Sequence, residues 1–131
     1  MRRTKKQIIN YWLKVISDDY MHFTPDAWDN AYKYANFCQI KEYSDQGVMM
    51  YSLIRDIDNQ IKMEALLFYI KPEYRGSNLF LTMIKNLETI AIESEAKEIV
   101  IGHSVSGYKS DKFNKIFSHF GYQKAGFVKR I

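Results

Sequence analysis

Arg75-Gly76-Ser77 stands between an unbroken apolar run, residues 65–70, and an apolar stripe of helical period that begins at Leu79. A strand, a short turn and a helix amino terminus together make an anion site, because unpaired backbone N–H groups and the positive end of the helix dipole face the turn. The competing reading is that Arg75 and Ser77 only cap and solvate the start of a helix. Two further residues could move protons. Glu64 lies on the same predicted strand and shares a face with Leu66, Phe68 and Ile70. Such an apolar setting raises a carboxyl pKa toward that of a useful general base; an exposed acid paired with a lysine is the alternative. His103 follows Ile99-Val100-Ile101 at the carboxyl end of another predicted strand, where open sheets bind ligands and an imidazole can relay a proton. Its alternative is a loop histidine bonded to Ser104 or Ser106.

Other reactive residue types are sparse. Cys38 is the only cysteine, which excludes an internal disulfide and a cysteine zinc site; beside Phe37 and Ile40 it reads as a buried thiol. His22 and His119 have no metal-like spacing, so no metal is expected. The net charge of +4 is mild, and the Arg2-Arg3-Lys5-Lys6 cluster reads as the solvated start of a helix rather than a nucleic-acid arm. No apolar run reaches bilayer length and the amino terminus lacks a signal-peptide core, so a cytoplasmic protein without a membrane partner is expected.

The elements that must position these residues can be read from period and punctuation. With 131 residues and no internal repeat or linker, residues 1–131 are expected to form one domain. Ile8, Ile9, Trp12, Leu13 and Ile16 predict a helix over 4–17. Thr24-Pro25-Asp26 then caps a second, running to about residue 34, with Ala27, Trp28, Ala31, Tyr32 and Ala35 on one side. Strands are predicted over 37–43, 48–54 and 61–70, joined by short turns into an antiparallel meander, with the third covered on both faces. Ser77 caps a third helix with the stripe Leu79, Phe80, Met83, Ile84, Leu87, Ile90 and Ala91. A strand over 98–102 follows and runs parallel to the third, through a right-handed crossover. Ser110-Asp111 caps a last helix that Gly121 ends, and 122–131 returns as a strand or bent hairpin, an edge at which a homodimer could pair. The class is α/β (α+β): a mixed central sheet with helices on both faces, in the order α-α-β-β-β-α-β-α-β.

This order, with Pro72-Glu73-Tyr74-Arg75-Gly76 after the third strand and Phe113-Asn114-Lys115-Ile116-Phe117-Ser118-His119-Phe120-Gly121-Tyr122 near the end, resembles the GNAT (Gcn5-related N-acetyltransferase) family over residues 24–131, in the manner of its short phage-encoded members. The resemblance implies that Arg75, Gly76, Ser77, Asn78, Leu79 and Phe80 form the coenzyme A pyrophosphate loop. It also implies that the backbone near Tyr69 and Ile70 pairs with the pantetheine arm as an added strand would. Asn78 and Phe80 occupy the family's glycine or alanine positions, and the Phe80 ring either blocks the phosphate channel or packs beneath the helix. The position of Glu64 resembles that of the family's carboxylate base. The family's general-acid tyrosine falls on Phe117, which has no proton to give; Tyr108, just before that helix, is the substitute if its hydroxyl turns inward, and a surface tyrosine is the alternative.

The implied activity is acetyl-CoA-dependent transfer of an acetyl group to a primary amine of a small molecule or protein, with Glu64, His103 and Tyr108 as catalytic candidates. The acceptor is chosen by variable loops and is not legible. The rival is a GNAT-fold protein without chemistry that binds a protein partner, as a virion component or an inhibitor of a host protein. A nucleic-acid-binding domain has no motif behind it.

Overall fold

A computed structural model describes residues 2–101, 115 and 117–123. Helix α1 spans Lys5–Ile16 and starts on a capping box in which Thr4 and Gln7 satisfy each other's backbone N–H groups. It runs on into a π-helical turn, Ser17–Met21, closed by the His22 N–H on the Ser17 carbonyl (3.0 Å). The sequence periodicity did not reveal this wider turn. Helix α2, Pro25–Asn36, begins as expected: Thr24 accepts from the Ala27 N–H and Pro25 takes the first helical position. Strands β1 (Gln39–Tyr43), β2 (Gly47–Arg55) and β3 (Ile61–Ile70) form the meander, helix α3 spans Leu79–Glu93, and β4 (Glu98–Ile101) pairs with β3 in parallel. The sheet order is β1-β2-β3-β4. Phe37, expected to open β1, is instead the exposed carboxyl cap of α2. Lys115 and 117–119 are helical, and Gly121, at φ +88°, ends that turn with its N–H on Ser118 and the Tyr122 N–H on Phe117. That is the Schellman geometry glycine favours.

The sheet separates two cores. On one face α1 and α2 bury Ile9, Trp12, Leu13, Ile16 and Ala35 against Val48, Met50, Leu67 and Tyr69. On the other, α3 buries Met83, Leu87 and Ala91 against Met49, Met63, Ala65, Phe68 and Ile70. The change of parity within β3 has one cause. Met50 lies opposite Leu67 but Tyr51 lies opposite Ala65, so Leu66 is an extra residue in the register of β3 against β2, a β-bulge. Below the bulge odd-numbered residues face α3; above it even-numbered ones do.

Candidate functional site

The carboxyl end of β3 is held by the Lys71 N–H, which donates to the Gln46 carbonyl (2.9 Å). A 3-10 turn, Pro72–Tyr74, follows, then Arg75 in extended conformation and Gly76 at φ +88°. A Cβ on Gly76 would meet nothing within 4 Å, so backbone angle rather than space calls for glycine here. The Ser77 hydroxyl donates to the Tyr74 carbonyl (2.6 Å) and accepts from the Leu79 N–H (3.3 Å). The cap expected at Ser77 therefore falls one residue later, on Asn78, whose side chain makes no cap bond. Among the described residues, the N–H groups of Gly76 and Asn78 have no hydrogen-bond partner. They stand at the amino end of a 15-residue helix, where the dipole favours an anion.

Arg75 does not reach out over this turn. Its Nε donates to the Ile70 carbonyl (2.9 Å), its Nη2 lies 2.6 Å from the Asp19 carboxylate, and its guanidinium covers the Tyr69 ring at 5.6 Å. The Tyr69 hydroxyl, on an otherwise buried side chain, donates to the same carboxylate oxygen of Asp19 (3.0 Å). Asp19 comes from the π-helical turn. Nothing in its sequence surroundings marked it, since an aspartate between two helices is usually a solvated turn residue.

The two readings of Phe80 are separated by its position. Its ring packs edge-on against Phe68 (5.9 Å between centroids) and Phe117 (5.7 Å), beneath α3 and within the core on that face. Leu79 packs against the same core. Phe117 in turn meets Tyr122 at 5.4 Å. The Tyr122 hydroxyl is buried without a hydrogen-bond partner among the described residues, and burial first, then the Glu88 charge, pushes its pKa up to about 12.

Glu64 requires a correction. It does not share a face with Phe68 and Ile70: the bulge at Leu66 turns those two toward α3, while Glu64 lies on the α1/α2 side of the sheet, between Ser52 of β2 and Val100 of β4. Nor is it paired with a lysine. Lys62 pairs with Asp56, Asp58 and Glu98, and Glu64 is half-buried with no hydrogen bond or ion pair among the described residues. His103 and Tyr108 lie outside the described residues, as do the cap at Ser110-Asp111 and the final strand with its pairing edge.

Cys38 is buried, donates its S–H to the Tyr34 carbonyl (3.3 Å), and has its pKa raised chiefly by burial, so it is a packing residue. Of the basic cluster, Lys5 caps the end of α2 through the carbonyls of Asn36 (2.8 Å) and Cys38 (2.7 Å), and Arg3 pairs with Glu42. An open depression of about 580 Å³ lies at the other end of β3, lined by Arg55, Asn59, Glu95 and Lys97 among others; none of the junction residues borders it. Among the described residues no helix is long and apolar enough to cross a membrane.

No family model and no curated protein matches this sequence. Solved structures do match. An acetyltransferase from Trypanosoma brucei superposes with a TM-score of 0.68 at 12% identity, covering 99% of this chain and 96% of that one. A ribosomal-protein-alanine N-acetyltransferase from Brucella melitensis biovar Abortus gives 0.69 at 11% identity, covering 96% and 95%. AAC(6')-Iy, solved with a bisubstrate analogue of CoA and an acetylneamine, gives 0.68 at 13% identity, covering 99% and 94%. The chain has the GNAT acetyltransferase fold, a mixed sheet flanked by helices on both faces.

Proposed function

We propose that this protein is an N-acyltransferase that takes acetyl-CoA as co-substrate and transfers its acetyl group to a primary amine of a small molecule or a protein. One observation carries the reading: the β3–α3 junction leaves the Gly76 and Asn78 N–H groups without described partners at a helix amino terminus, with no side chain on Gly76 and the Phe80 ring turned beneath the helix. These features fit a pyrophosphate group, bound by backbone rather than by the Arg75 side chain. Tyr69 and Ile70 would border the pantetheine arm, and Leu79 would fix the start of the helix. The neighbour solved with a CoA analogue supports the class of ligand.

Bound acetyl-CoA supplies an activated acyl group. The chain's own part is to orient the thioester and to take the proton that the attacking amine must lose. Glu64, half-buried, unpaired among the described residues and on the α1/α2 side, is the base we assign; His103 is the second candidate and Tyr108 the candidate acid for the leaving thiolate.

Calorimetric titration of acetyl-CoA into the purified protein tests this. Dissociation constants in the micromolar range, about −8 kcal/mol, are expected; no heat at millimolar ligand would sink the proposal. Thiol release with a panel of amines should fall at least a hundredfold in Glu64→Gln, on the usual scale of general-base losses. An unchanged rate would reject Glu64. A second reading, a GNAT-fold protein that only binds a partner, is favoured by Phe117, a ring without a proton to give at the position to which the family resemblance assigns the acid, packed between Phe80 and Tyr122. Cofactor binding with no turnover on any amine would favour it.

A further inference from the structure

We infer that Asp19 is a positioning residue for the cofactor loop, acting through Arg75 and Tyr69. The inference rests on the proposed function for its ligand but not for its geometry. Asp19 is carried by the π-helical turn that prolongs α1, and one of its carboxylate oxygens receives both the Tyr69 hydroxyl (3.0 Å) and the Arg75 guanidinium (2.6 Å). Arg75 also holds the Ile70 carbonyl through Nε (2.9 Å) and lies over the Tyr69 ring. A single acidic side chain thus joins three parts of the molecule: the α1–α2 connection, the end of β3, and the residue immediately before Gly76.

Beyond the Ser77 hydroxyl bond to the Tyr74 carbonyl (2.6 Å), the backbone around Gly76 has weak internal support. The bonds from the Arg75 N–H to Pro72 (3.3 Å) and from the Ser77 N–H to Tyr74 (3.4 Å) are long, and Gly76 is free to leave φ +88°. Fixing the Arg75 guanidinium through both Nε and Nη2 restricts the residue that feeds the turn. The 76–78 backbone is then ordered before a ligand arrives, which reduces the ordering entropy lost on binding. A π-helical turn is a recurrent feature of functional sites, and here it places a carboxylate over the end of the cofactor strand.

Two measurements on the full chain decide the matter. Amide hydrogen exchange without ligand should quicken about tenfold at Ser77 and Leu79 in Asp19→Ala, with Met49 and Phe68 in the core unchanged. Titration with coenzyme A should show affinity about tenfold weaker in Asp19→Ala, weaker by a similar factor in Arg75→Ala, and no weaker still in the double variant, because the two residues act as one unit. Asp19→Asn, which keeps an acceptor oxygen and guards against a variant that does not fold, should recover part of both effects. A merely structural Asp19 would lower the melting temperature and quicken exchange throughout the sheet, with affinity intact below the transition; that result overturns the inference. So does tighter coenzyme A binding in Asp19→Ala, which would mean that Asp19 competes with phosphate for Arg75. If the wild-type chain binds no coenzyme A, the proposed function fails, and the exchange measurement still decides whether Asp19 orders the turn.

Discussion

The two faces of the sheet are built from different materials. Beneath α3 the core is methionine, phenylalanine and aliphatic residues, and neither buried polar hydroxyl on that side, Tyr43 or Tyr122, has a described partner. Beneath α1 and α2 the large buried side chains are tied by hydrogen bonds. Trp12 donates to Glu42 (2.7 Å), Tyr69 to Asp19, and Lys71 to Tyr11 (2.7 Å) and Asp45 (2.8 Å), with Tyr11 also bonded to Asp45. Apolar contacts are non-directional and hold α3 in depth; charge-assisted bonds are directional and hold α1 and its π-helical turn in register. The junction 75–79 joins the two, with its arginine turned to the bonded face and its helix on the soft one.

The contrast is sharpest at full burial. Leu87→Ala, deep under α3, should destabilise by about 2–5 kcal/mol in urea unfolding, whereas Leu87→Met should lose less than about 1.5 kcal/mol because the methionine-rich face can repack. Equal losses would show that this face is as specific as the other. Trp12→Phe keeps most of the apolar volume but removes the Glu42 bond, so a loss of about 1–3 kcal/mol is expected on the bonded face. A loss no larger than that of Leu87→Met would break the comparison.

Gly47→Ala probes the line between the faces. Its Cβ would come within 2.8 Å of the Tyr69 carbonyl, and backbone cannot give way cheaply, so about 1–3 kcal/mol should be lost, together with altered exchange at the end of β3. The smallest effect is in acid. Hydrogen bonds from Lys71, then from Tyr11, hold the Asp45 carboxyl below its usual value. A group with a lowered folded pKa contributes stability above its unfolded value, near pH ~4, and loses it as the pH falls through the folded value. Asp45→Asn should therefore flatten the acid limb of a stability–pH curve below about pH 4, slightly, since the carboxylate is exposed. An unchanged limb would remove Asp45 from the network.

Local chemistry made much of the fold legible. Thr24-Pro25 placed the start of α2, Gly121 the end of the last helical turn, and the Leu79 to Ala91 stripe α3, because caps and 3.6-residue periods are properties of neighbours in the chain. The glycine turn after β3 was legible for the same reason. The face of Glu64 was not. Six apolar residues in a row, 65–70, satisfy either register, so no alternation marks the bulge at Leu66. Only packing between two helical layers chose where the extra residue sits, and with it the side of the sheet that receives the carboxylate. The direction of Arg75 and the resting place of Phe80 were decided in the same way. One depends on a carboxylate 56 residues away and the other on the rings of Phe68 and Phe117, partners that no spacing along the chain can name.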